Sequence, residues 1–179
     1  MVEKAKQIIA VFGSSRCVSS DADYALAQEL GGLLACAGFD VCSGGYSGAM
    51  EAVSRGAREA GGRTVGVTVQ VIERSGNAWL DEEVRTETIF HRIEHMLTIS
   101  SACLAVRGGS GTLAEVAMAL NLLLLGALKP RPLVLVGPEW RAVMDAFFSH
   151  MPSNESERGL ITYADTPAKA VQALEAALR

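Results

Sequence analysis

The chain has 179 residues, 49% of them hydrophobic and 20% charged, a globular composition that excludes a disordered chain and is long enough to bury one core without a metal or disulfide staple. Sixteen Lys and Arg against 20 Asp and Glu leave a formal charge of −4, which argues against broad binding to nucleic acid or to an anionic membrane. The four cysteines, Cys17, Cys36, Cys42 and Cys103, form no C-x-x-C pair and have no histidine at ligand spacing, so they read as reduced core or near-core thiols, and no metal site or cofactor is expected.

From the amino end, Lys4 and Lys6 precede the apolar run Ile8–Phe12, which is too short for the core of an export signal. Ile8–Gly13 reads as a buried strand running into Gly13-Ser14-Ser15. Ser20–Asp23 opens a helix to about Ala37, capped by Ser or Asp and stopped by Gly38. Val41–Ser43 is a second strand and residues 48–60 a second helix, ended by Gly61-Gly62. Thr64–Val69 is a third strand, and residues 70–88 have no strong period, giving a loop or a short extra strand. Phe90–Ser100 is predicted helical, and Ala102–Val106 is a further strand ending in Arg107-Gly108-Gly109-Ser110-Gly111. Thr112–Leu125 is a helix apolar nearly all round, the pattern of a helix covered on two sides. Pro132–Val136 and Leu160–Tyr163 read as strands, Trp140–Ser149 and Pro167–Leu178 as helices, and polar Pro152–Gly159 as an exposed loop. The longest apolar stretch, Ala117–Leu128, contains Asn121 and Gly126 and falls short of the ~20 residues that span a bilayer. The expectation is a soluble, cytoplasmic protein.

Apolar strands alternating with helices predict a parallel sheet covered on both faces. The fold class expected over residues 1–179 is α/β, a single Rossmann-like doubly wound domain. In such a sheet a ligand binds where the strands end at the switch point. Three predicted strand ends carry small or glycine-rich turns: Gly13-Ser14-Ser15, Gly44-Gly45-Tyr46-Ser47-Gly48, and Gly108-Gly109-Ser110-Gly111-Thr112. Such turns let an oxyanion approach main-chain N–H groups, aided by the dipole of the following helix. The segments 44–57 and 108–120 echo each other as two uses of one turn chemistry. No G-x-x-x-x-G-K-[ST] occurs and the first turn is not G-x-G-x-x-G, so neither a P-loop nor an ordinary NAD site is expected.

Glu115 falls in about the first turn of the helix after the third Gly turn, where the helix N-terminus favours its ionised form. A carboxylate beside an anion pocket suits a sugar ring that develops oxocarbenium charge. Arg92 sits in the mostly apolar segment Phe90–Ser100 and can clamp a phosphate or carboxylate, or pair on the surface with Glu87 or Glu94. His91 and His95 lack a third ligand, and Arg16, Arg55 and Arg107 are secondary anion-binding candidates.

These residues resemble a known family. Gly108-Gly109-Ser110-Gly111-Thr112-Leu113-Ala114-Glu115 is similar to the P-G-G-x-G-T-x-x-E signature of the LOG family, proteins often mislabelled as lysine decarboxylases. Gly13-Ser14-Ser15 resembles the family's first turn, Gly44-Gly45 with Gly48-Ala49-Met50 its G-G-G-x-x-G-L-M segment, and Arg92 with Met96 its R-K-x-x-M segment. The resemblance implies a Rossmann-like fold, a homodimer, and hydrolysis of a nucleoside 5′-monophosphate to free base and ribose 5-phosphate. It makes Arg92 and Glu115 the functional pair and Gly108, Gly109, Gly111 and Thr112 the phosphate turn. Arg107, Ile93 and Glu51 stand where the family has Pro, Lys and a small residue. These departures define a divergent branch, which the molybdenum-cofactor carrier proteins also resemble, and leave the alternative of a carrier that binds a nucleotide or an anionic pterin phosphate without chemistry. A pyridoxal-dependent decarboxylase is disfavoured, because no Lys lies between Lys6 and Lys129 to form a Schiff base. The expected ligand is thus a small phosphorylated molecule.

Overall fold

The computed structural model describes residues 6–153 and 155–178. Lys4 and Asn154 lie outside the described residues. Among the described residues, seven strands form one parallel sheet: β1 (Ile8–Phe12), β2 (Asp40–Ser43), β3 (Thr64–Val69), β4 (Glu82–Thr86), β5 (Ala102–Ala105), β6 (Leu133–Val136) and β7 (Ile161–Ala164), in the order β4-β3-β2-β1-β5-β6-β7. The helices are α1 (Ala22–Cys36), α2 (Ala49–Glu59), α3 (Ile89–Ile99), α4 (Ser110–Leu124), α5 (Pro138–His150), α6 (Glu155–Gly159) and α7 (Pro167–Leu178).

The strand register divides the core in two. Side chains alternate across a strand, so Ile9 and Val11 of β1 meet α1, α2 and α7, while Ala10 and Phe12 meet α3, α4 and α5. Strand β5 repeats the division, with Ala102 and Leu104 on the first face and Cys103 and Ala105 on the second. Because both faces are covered, β1, β5 and β6 read as nearly unbroken apolar runs, as parallel strands should. Helices α1 and α2 approach closely through Gly31 and Gly56, where an added Cβ would collide with the carbonyls of Val53 and Gln28.

Several expectations are refined. Asp21, not Ser20, is the N-cap of α1, and its carboxylate accepts the Val18 N–H at 2.9 Å. The irregular stretch contains an added edge strand, β4. The segment Pro152–Gly159 is not wholly loop, since it holds the short helix α6. Helix α4 starts at Ser110 rather than Thr112, which puts Glu115 in its second turn.

The chain leaves β1 toward β2 and later returns on the other side of β1 as β5. That reversal places the switch point at the C-terminal ends of β1 and β5, where a crevice opens.

Candidate functional site

A cavity of about 410 Å³ occupies the switch point, a volume within the range of small-molecule sites. One side is polar main chain: Gly13, Ser14, Ser15 and Arg16 after β1, and Gly109, Ser110, Gly111 and Thr112 at the start of α4. Helical geometry leaves the first N–H groups of α4 without intrahelical partners, and Leu113 is the residue whose N–H closes the first turn onto Gly109 O, at 3.0 Å. The other side is formed by Tyr46, Met50, Ile72, Arg74 and Ile89.

Arg92 and Glu115 line the same cavity and meet in it. Arg92 is 9% exposed and Glu115 7%. Arg92 Nη1 donates to Glu115 Oε1 at 3.0 Å, and Nε donates to the Val67 carbonyl at 2.7 Å, so β3 fixes the guanidinium. Its Nη2 lies 3.8 Å from Met50 Sδ. The surface pairing of Arg92 with Glu87 or Glu94 therefore does not occur. Burial pushes the Glu115 carboxyl above the ordinary range, and the charge and hydrogen bond of Arg92 oppose this without cancelling it. The expectation that the helix N-terminus governs Glu115 is thus replaced by a balance of burial against Arg92.

The three turns predicted to surround a ligand are used differently. Residues 13–15 and 109–112 face the cavity. Gly44, Gly45 and Gly48 do not line it. A Cβ at Gly44 would overlap the Arg92 guanidinium and lie 2.6 Å from Met50 Sδ. Gly45, at φ 78°, abuts Thr68 and Gly66 of β3. Gly48, at φ 72°, packs on Ser14 and Ser15. Ala49 N–H donates to Ser14 O at 2.8 Å and Ser47 Oγ to Ser15 O at 3.2 Å. The second turn thus supports the first turn and seats Arg92. Gly108 lies under the Thr112 side chain and faces a shallower depression shared with Asp23 and Arg107.

Arg16 lines the cavity, whereas Arg107 pairs with Asp23 at 3.4 Å in that depression, and Arg55 pairs with Glu59 at 2.8 Å on α2. His91 and His95 do not line the cavity, and no group of three or more His, Cys, Asp or Glu among the described residues is placed to hold a metal. Ile93 packs into the core beside Met96 and Leu97. Glu51 accepts a hydrogen bond from the Tyr24 hydroxyl at 3.2 Å and stays out of the cavity. Cys17, Cys36, Cys42 and Cys103 are free thiols. Burial pushes Cys42 up to about 12 and Cys103 to about 11, so both are protonated and unreactive at neutral pH, whereas Cys36 is exposed rather than near-core. No helix of the described residues is long and apolar enough to cross a membrane.

Tyr46 comes from the second predicted turn and Met50 from the segment quoted for the family resemblance, whereas sequence reasoning missed Ile72, Arg74 and Ile89. A usable signal existed for two of them: Ile72 and Arg74 follow β3, whose C-terminal end lies on the same sheet edge as the Gly turns.

Residues 6–171 match the SLOG cluster4 family. The chain belongs to that family. Among this SLOG cluster4 member's relatives, a cytokinin riboside 5′-monophosphate phosphoribohydrolase of Mycobacterium tuberculosis is 36% identical over 116 residues, 63% of this chain and 62% of the relative. A pyrimidine/purine nucleotide 5′-monophosphate nucleosidase of Escherichia coli is 27% identical over 168 residues, 86% of this chain but only 37% of the relative. The chain thus spans less than two thirds of each of these two proteins. Among solved structures, the molybdenum cofactor carrier protein of Chlamydomonas reinhardtii superimposes with a TM-score of 0.77 at 31% identity, covering 97% of this chain and 98% of that one. The molybdenum cofactor binding protein of Rippkaea orientalis shares the fold, with a TM-score of 0.79 at 24% identity and coverage of 97% and 98%.

Proposed function

We propose that the protein hydrolyses the N-glycosidic bond of a nucleoside 5′-monophosphate, releasing free base and ribose 5-phosphate. The observation that carries this reading is the buried Arg92–Glu115 pair, 3.0 Å apart, in the same cavity as the Gly109–Thr112 turn. The names of the Mycobacterium and Escherichia relatives point to the same reaction class. In this reading the N–H groups of Ser110, Gly111 and Thr112 receive the 5′-phosphate, with the α4 dipole behind them and the Arg16 charge beside them. The ribose then lies near Glu115. As the C1′–N bond breaks, its electron pair departs with the base and positive charge grows on C1′ and the ring oxygen. The Glu115 carboxylate stabilises that charge in a desolvated site, where the interaction is strong. Water supplies oxygen to C1′, and the proton it loses balances the charge on the departing base. Arg92 acts through Glu115, aiming it and favouring its ionised form against the effect of burial.

Chromatography of the protein incubated with AMP or GMP should detect free base together with ribose 5-phosphate. Glu115→Gln should lower the rate by about 10²–10³-fold, the order expected when one group that stabilises transition-state charge is removed. Absence of base release by the wild-type protein overturns the reading.

A second reading is favoured by the full-length likeness to the Chlamydomonas carrier and by Ile93, which brings no charge to the cavity. Here the same cavity carries a phosphorylated pterin or nucleotide unchanged. Saturable calorimetric binding of molybdopterin without turnover of any nucleotide would favour it. For either reading we propose a cytoplasmic homodimer. A second, apolar cavity of about 490 Å³ between α4 and α5 supports the dimer, because Leu113, Leu124, Val143 and Phe147 line it and remain exposed. Light scattering giving the mass of one chain would remove that part.

A further inference from the structure

The function-bearing side chains above account for one end of the cavity. The other end is bounded by the connection from β3 to β4, residues 70–81, and this connection is fastened at several points. The Tyr46 hydroxyl accepts the Val69 N–H at 2.9 Å and lies 3.2 Å from Val69 O, tying the second Gly turn to the end of β3. Asn77 is bound still more firmly. Its main-chain N–H donates to Gly45 O at 2.7 Å, and its side-chain amide donates to Gly45 O and Tyr46 O, both at 3.1 Å. Between these anchors Arg74 lies over the ring of buried Tyr46, its guanidinium carbon 4.9 Å from the ring centre. Arg74 takes part in none of the ion pairs formed by the described residues. Exposed Arg74 lines the cavity together with Ile72 and Ile89. An apolar wall with one oriented, unneutralised guanidinium suits a flat heterocycle bearing acceptors on its edge.

We propose that Arg74 selects the ring system of the ligand, favouring rings with adjacent oxygen and nitrogen acceptors. Guanine presents O6 beside N7, and a guanidinium fork bonds both at once. Hypoxanthine has the same edge, and an oxidised pterin offers its equivalent in O4 and N5. Adenine places an amino donor where guanine has O6, so the fork is mismatched. The preferred ligands are 6-oxopurine nucleotides or pterin phosphates, with 6-aminopurine nucleotides weaker. The proposal rests on the phosphate-binding site described under Proposed function and holds for both its catalytic and its carrier reading. Asn77 and Tyr46 are positioning residues that act through Arg74.

The test is calorimetric binding of GMP, IMP, AMP and ribose 5-phosphate at a temperature where chromatography finds the nucleotides intact. Wild-type protein is expected to bind GMP and IMP about tenfold more tightly than AMP, the order of one bidentate contact. Arg74→Ala should abolish that preference and leave ribose 5-phosphate affinity within about twofold, since the phosphate sits at the opposite end. Arg74→Lys keeps the charge but not the planar fork and should also lose the preference. Equal wild-type affinity for GMP and AMP overturns the proposal and leaves the phosphate site standing. Equal weakening of GMP and ribose 5-phosphate in Arg74→Ala assigns Arg74 to the phosphate and overturns it too. Retained preference in Arg74→Lys overturns the role of the fork. If none of the four compounds binds, the site itself is refuted and the ring selectivity with it.

Discussion

Two glycine turns with nearly the same sequence do opposite work in this molecule. The turn at residues 44–48 is filled by protein: Arg92 and Met50 crowd Gly44, and Ser14 and Ser15 crowd Gly48. The turn at residues 108–112 is largely empty: a Cβ at Gly109 or Gly111 would have no neighbour within 4 Å. In the first, glycine makes room for other parts of the chain. In the second, the space beside Gly109 and Gly111 is left open along the cavity wall. Glycine content therefore does not distinguish an open turn from a packed one, and what the missing Cβ would strike does.

Alanine substitutions test this difference directly. The largest effect is expected at Gly44→Ala, where the new methyl group displaces the Arg92 guanidinium from its place against Glu115. Overpacking costs about 1–3 kcal/mol, and loosening a buried ion pair adds a penalty approaching the ~3–5 kcal/mol of breaking one. Thermal unfolding should shift down sharply, and any nucleotide hydrolysis should disappear. Gly48→Ala should follow closely, because the residue also holds φ 72°. Gly111→Ala should behave in the opposite sense. Gly111 lies inside the first turn of α4, where Ala is favoured by up to ~1 kcal/mol. The variant should melt at the wild-type temperature or slightly above while binding ribose 5-phosphate more weakly in calorimetry. A large loss of stability at Gly111 would break the comparison.

A pH series sharpens it further. Glu115 hangs from the helix that follows the open turn, and burial raises its pKa. A reaction that needs its carboxylate should lose rate on the acid side at a pH above the ordinary glutamate range, and Glu115→Gln should flatten that limb. Stability carries the same sign information. Folded Glu115 holds its proton more tightly than unfolded Glu115, so this contribution is fully present below the unfolded pKa and is lost as pH rises through the folded pKa. The smallest effect concerns thiols. A thiol reagent should modify exposed Cys36 in native protein and leave buried Cys42 and Cys103 untouched. Cys42 lies two residues before Gly44, so it should become reactive in Gly44→Ala.

The fold was legible because its strands are short apolar runs and its helices end at recognisable stops, such as Gly38 at φ 88° after α1. The strand ends also located the crevice, since topology alone directs ligands there. Arg92 and Glu115 were visible as charges in apolar or helix-start settings. Their contact with each other was not, because 23 residues separate them and only the packing of α3 and α4 on one sheet face brings them together. The inward orientation of Gly44 and Gly48 was hidden for the same reason. Arg74 was missed because residues 70–81 have no period to interpret, and their order comes from hydrogen bonds of Asn77 and Tyr46 to distant main chain.

The outermost strand on one side, β4, has the sequence Glu82-Glu83-Val84-Arg85-Thr86 and is mostly exposed. The charged side chains of Glu82, Glu83 and Arg85 along an open margin make another chain's strand an unfavourable neighbour. Lateral growth of the sheet into fibrils is therefore disfavoured on that flank, and concentrated preparations should stay dispersed.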